Sequence, residues 1–191
     1  VSFGTVSTTG DGSPLNGEDD ITLSSDGGDL TITTSVTADG DGDVILNTTN
    51  AGNVILTGTT TAAGHEVTVN SVGSISGAGL VTAATVDLNA ATGIMANLAA
   101  STITADNSTS GDVDIDNALA GAVTVSSLTT AGGGTILFEN TGAGGVSFGT
   151  VSTTGDGSPL NGEDDITLSS DGGDLTITTS VTADGDGDVI L

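Results

Sequence analysis

In 191 residues this chain has no cysteine, lysine, arginine, tryptophan or tyrosine. Without cysteine there are no disulfide staples and no thiolate metal site, a composition that suits a long chain threaded unfolded through a secretion pore. Without lysine or arginine, nothing offsets the 25 acidic residues by intramolecular salt bridging, and the formal net charge is −25. Nucleic acid and anionic lipid are thereby excluded as direct partners. No apolar run approaches the ~18 residues of a membrane span, so no membrane insertion is expected. The three phenylalanines are the only aromatics, so any core must be thin and filled by Val, Ile, Leu and Ala. His65, the single imidazole, stands alone on a strand edge and reads as a surface residue rather than a ligand.

High net charge with few aromatics ordinarily signals disorder, but here the apolar residues are β-branched and regularly spaced. Residues 1–46 and 146–191 are identical, an offset of 145, so the chain reads as a window cut from a tandem array. Within the unit a shorter pattern recurs: GDVIL at 42–46, GNVIL at 52–56, GDVDI at 111–115, GAVTV at 121–125 and GTILF at 134–138. Each is a short strand with alternate side chains buried, preceded by a residue able to turn sharply. Helix is disfavoured by the Gly, Thr, Asp and Asn content; only LNAATGIMANLAAS at 88–101 leaves a helical turn open. The strand spacing parses the unit into seven coils, each of roughly 20 residues. The expected fold is all-β, one continuous parallel β-solenoid over 1–191 that advances roughly 34 Å per unit at the strand spacing. A sandwich would need even strands, hairpin turns and a larger core. The segment 9–20, repeated at 154–165 and holding Pro14 and Pro159, lacks the strand pattern and reads as a loop protruding from one coil.

The chemistry left to such a chain is carboxylate chemistry. Ca²⁺ takes six to eight oxygens, and DGDGD supplies Asp39, Asp41 and Asp43, repeated as Asp184, Asp186 and Asp188. Glu18, Asp19 and Asp20 form a weaker cluster, repeated from Glu163 to Asp165, with Asp11 nearby. These are the candidate metal ligands; the plainer reading is solvated acidic faces and Asp-Gly turns. Asp112, Asp114 and Asp116 alternate with Val113 and Ile115 and should face solvent together. Ile45, Ile55 and Leu137 fall between inward positions and are candidates for lateral contact between solenoids. Asn47 and Asn107 head glycosylation sequons, as expected by chance in an Asn- and Thr-rich chain.

Strings such as GDVDIDNALAGAVTVSSLTTAGGGTILFENTGAGGVSFGTV and GGDLTITTSVTADGDGDVILNTTNAGNVIL resemble the β-strand repeats of giant bacterial exoproteins of the filamentous haemagglutinin type. The resemblance implies a right-handed parallel β-helix, export to the cell surface, and a role as the shaft of an adhesin or extracellular fibre. It brings no catalytic residue and no required cofactor. The expected partners are neighbouring repeats end to end, other solenoids laterally, and divalent cations. Alternatives are a Ca²⁺-dependent carbohydrate-binding solenoid, or an ice-binding one suggested by TITTSVT at 31–37 and TIT at 102–104. A polysaccharide-degrading β-helix enzyme is disfavoured, because such sites pair acids with Arg or Lys.

Overall fold

The computed structural model describes residues 1–9, 19–155 and 164–191. The fold is all-β, with sixteen strands and no helix among the described residues. In chain order they are β1 (Ser2–Ser7), β2 (Ile21–Asp26), β3 (Leu30–Ala38), β4 (Val44–Thr49), β5 (Val54–Leu56), β6 (Thr59–Ser71), β7 (Ile75–Ser76) and β8 (Leu80–Ala90). Then follow β9 (Ile94–Asn107), β10 (Val113–Asn117), β11 (Val123–Ala131), β12 (Ile136–Asn140), β13 (Val146–Thr154), β14 (Ile166–Ser170), β15 (Leu175–Thr182) and β16 (Val189–Ile190). The segment where alanine leaves a helical turn open is strand on both sides of a corner at 91–93, the end of β8 and the start of β9, with Ala90, Ala96 and Ala100 directed inward. Pro14, Pro159, Asp11, Glu18 and Glu163 lie outside the described residues.

Every strand pairing is parallel, and β3, β5, β7, β9, β8 and β6 close a hydrogen-bonded ring of six. The pairings form two ladders that the chain visits alternately. The first holds β1, β3, β5 with the start of β6, β7 with the start of β8, the start of β9, and then β10, β12, β14 and β16. The second holds β2, β4, the ends of β6, β8 and β9, and then β11, β13 and β15. The ring closes within the first ladder, because β3 and β9 each run unbroken alongside segments that the intervening circuits divide, β3 pairing both β5 and the start of β6 and β9 pairing both β7 and the start of β8.

In-register pairing puts like side chains on like. Leu30, Val54, Ile75, Ile94, Val113, Ile136 and Ile166 form one inward column, and Ile21, Val44, Val67, Val86, Ile103, Val125 and Phe148 face it from the second ladder. All are buried, each contributing about 1.5–3 kcal/mol relative to exposure. Phe138 and Phe148 come from opposite ladders and meet edge-to-face at 5.2 Å between centroids. Beside them Asn117 and Asn140 are fully buried yet satisfied, Asn117 donating to Asn140 Oδ1 at 3.1 Å and accepting from the Ala100 N–H at 3.0 Å.

The sequence spacing over-counts the coils. β1 and its copy β13 are thirteen ladder segments apart, so the repeating unit spans six and a half circuits, not seven. Ile21 therefore stands in the second ladder and its copy Ile166 in the first. Circuit length varies without loss of register because corners absorb the difference. Thr85 pairs with Thr102 across a short circuit, whereas Ile136 pairs with Ile166 across a long one that includes the 154–165 segment.

Corners also stack on one another, and this explains the glycines better than turning alone. Gly52 has φ +116°, and a Cβ there would lie 2.2 Å from the carbonyl oxygen of Gly28, one corner below. Gly28 itself would meet nothing within 4 Å. Gly52→Ala is therefore expected to cost on the order of 1–3 kcal/mol, whereas Gly28→Ala stays within about 0.5 kcal/mol of wild type; thermal melts of the two variants check the contrast.

Candidate functional site

The acidic residues that open the strands form a capping system. The residue just before a strand has an N–H at the margin of the ladder, and a buried or half-buried N–H needs an acceptor. Asp20 Oδ1 accepts the Asp43 N–H at 2.8 Å, and Asp43 Oδ1 accepts the Glu66 N–H at 2.9 Å. On the other ladder Asp29 Oδ1 accepts from Asn53 N at 2.8 Å, and Asn53 Oδ1 accepts from Ser74 N at 2.9 Å. Asp112 takes the Thr135 N–H at 2.9 Å and Asp165 the Asp188 N–H at 2.8 Å. Each carboxylate thus caps the next circuit. That is the physical content of the recurrent Gly-Asp-Val.

The candidate calcium ligands are consequently spread along the axis. Asp20 and Asp43 belong to consecutive circuits, as do Asp165 and Asp188, and one oxygen of Asp20, Asp43 and Asp165 is engaged by main chain. Asp39 Oδ1 accepts the Gly40 N–H at 2.9 Å. Among the described residues no three acidic side chains gather around one point, and Glu18 lies outside them.

One corner is nevertheless built twice in the same way. Thr8 Oγ1 donates to the Asp19 carbonyl at 3.0 Å and accepts the Asp39 N–H at 3.0 Å; Thr153 Oγ1 does the same for Asp164 at 2.9 Å and Asp184 at 3.0 Å. Asp19 and Asp164 are buried there, Asp164 in the left-handed region at φ 68°. The N–H groups of Gly155 and Gly185 pull the Asp184 carboxyl below the usual range. Beside this corner both carboxylate oxygens of Asp41 are shielded from solvent with no hydrogen-bond partner. An orphaned carboxylate of this kind fits a hard cation. The copy Asp186 is exposed.

Asp114 and Asp116 do face outward from β10, with Asp112 exposed just before it. Asp116 also stands in register with Glu139. Burial first, then the charges of Asp116 and Asp112, raise the Asp114 carboxyl above its ordinary value. Ile45, Ile55 and Leu137 also point outward, but they do not form one patch: Ile45 is on the second ladder, Ile55 and Leu137 on the first. The first-ladder column runs Thr31, Ile55, Ser76, Met95, Asp114, Leu137, Thr167, Ile190, so apolar and polar groups alternate. Met95, 49 % exposed, belongs to this series and escapes the sequence pattern because IMANL lacks the Gly-Asp-Val form of its neighbours.

A shallow recess of about 330 Å³ at one corner, lined by Asn70, Val72, Asn89, Asp106 and Ser108, is likewise invisible in the sequence. Its carboxamides are wired as a ladder, Asn89 to Asn70 at 3.1 Å and Asn70 to Asn47 at 2.8 Å. The Asn107 sequon is closed to glycosylation: the side chain is buried, accepting from Gly93 N at 2.8 Å and donating to Thr130 Oγ1 at 2.9 Å.

Asp43→Ala should lower stability by about 1 kcal/mol through the lost Glu66 cap, and Asp43→Asn, which keeps an acceptor, should lie close to wild type in the same melt. For Asp114 the folded state binds its proton more tightly than the unfolded chain does. Stability from this group therefore rises as pH falls from the raised value to the ordinary aspartate value, and is absent at neutral pH. Asp114→Asn is expected to melt higher than wild type at pH 7, with the difference vanishing in acid; a pH series of melting temperatures reads this out. No protein family, no curated protein and no solved structure matches this chain.

Proposed function

We propose that this chain is a segment of the shaft of an extracellular fibre or giant cell-surface adhesin, folded as a right-handed parallel β-helix and acting structurally rather than catalytically. The observation that carries the reading is ladder continuity. The second copy of the repeat adds to the same two ladders as the first without a break, Ile136 pairing Ile166 and Val123 pairing Val146. A unit that can extend its own hydrogen-bonded ladders gains length with each copy, as solenoids do. The resemblance to filamentous haemagglutinin-type repeats points the same way, toward the bacterial cell surface.

A divalent cation is the partner this reading adds, and Asp41 is the residue that favours it. The polyanionic rod has no lysine or arginine to offset its charge. Ca²⁺ is expected to raise the melting temperature of the chain, and Asp41→Asn to remove most of that rise; calorimetry showing no heat of binding, with no thermal shift, would eliminate the cation.

Ice binding is favoured as a second reading by one feature. Thr85, Thr102, Thr124, Ser147 and Thr176 are consecutive in register on the outer side of the second ladder, so the rank is regular even though circuit lengths are not. A thermal-hysteresis assay separates the two, activity supporting ice binding and its absence leaving the shaft.

For the shaft, small-angle scattering of tandem arrays should show a rod whose length grows by about 31 Å per added unit, at unchanged cross-section. A compact particle growing in all dimensions would sink the proposal.

A further inference from the structure

Identical sequence sits on opposite ladders in this chain. Thr22 pairs Ile45 in the second ladder, while its copy Thr167 pairs Leu137 and Ile190 in the first. Thr31 pairs Ile55 in the first ladder and its copy Thr176 pairs Ser147 in the second. The swap is forced by the odd number of ladder segments per unit and does not depend on any single side chain.

Resting on the shaft reading, we propose that the fibre has two equivalent faces: each repeating unit is turned half a circuit from the one before, so the outward groups of the unit appear alternately on both sides and the structural period is two units. Successive units are then related by a two-fold screw along the axis. The interrupted apolar column of Ile55, Met95 and Leu137 lies on one side in this unit and on the other side in the next. The hydroxyl rank of Thr85, Thr102 and Thr124 alternates in antiphase with it. A partner that recognises either column meets it on both sides of the shaft. One fibre is thereby able to bridge two partners, and avidity grows with length on each face. With whole-number circuits per unit the shaft would instead have a front and a back.

Two experiments test this, and the absence of native cysteine makes both clean. In the 191-residue chain, directly paired outward positions are about 4.8 Å apart. Leu137→Cys with Thr167→Cys should therefore join through a short thiol cross-linker, while Ser147→Cys with Thr167→Cys should not. Any other pattern overturns the half-circuit offset. In a tandem array carrying Met95→Cys in every unit, gold-labelled thiols should alternate between the two edges of the rod. Labels on one edge should recur at about 62 Å rather than at about 31 Å. Labels all on one edge overturn the two-faced fibre and leave the shaft reading intact. Expected cross-links together with a compact, unextended array sink the shaft reading and the two-faced fibre with it, while preserving the offset within the chain.

Discussion

A side chain in a parallel ladder has as its nearest neighbours the residues one circuit above and one below, about 4.8 Å away. Whatever occupies a column must tolerate near-copies of itself at that distance. Inward columns of Val, Ile and Leu satisfy the condition by dispersion and burial. Amide columns satisfy it because each carboxamide both donates and accepts, as Asn89, Asn70 and Asn47 do. Corners satisfy it by removing Cβ where carbonyl oxygens of the corner below would intrude, as at Gly52.

Carboxylates are the group least suited to this spacing, and the chain has 25 of them with no lysine or arginine. Asp20, Asp29, Asp43, Asp112 and Asp165 are each given a main-chain N–H from the following circuit, a charge-assisted bond that also finishes the ladder. Where no such donor is at hand, burial and then like charges hold the carboxyl above its ordinary value, as at Asp114 between Asp112 and Asp116. The 16 acidic residues of one unit are carried on about 31 Å of ladder, a line charge close to that of duplex DNA at ~1.7 Å per charge. Repulsion between neighbouring molecules, screened by salt, is the direct consequence.

The period-two alternation of β-branched residues made strand positions and the inward columns readable, and the thin aliphatic core followed from three aromatics. Two things were not readable. Pairing partners depend on which corner absorbs extra residues, so a spacing that closes on seven coils hides the half circuit left over. And a carboxylate in sequence looks the same whether it gathers with others around an ion or bonds one N–H of the next circuit. Asp39, Asp41 and Asp43 read as a cluster along the chain, yet Asp43 works with Glu66 of the following circuit. Asn117 and Asn140 are the last residues of their strands, and only the register shows them stacked inside.

The odd number of ladder segments has a consequence for arrays of different length. Inserting or deleting one unit leaves every hydrogen bond of the ladders intact, because identical sequence meets identical sequence at the new junction. Everything beyond the junction is nevertheless carried to the other side. Whether a group at the far end shares a side with a group at the base is thus decided by parity, by whether the number of units between them is even or odd.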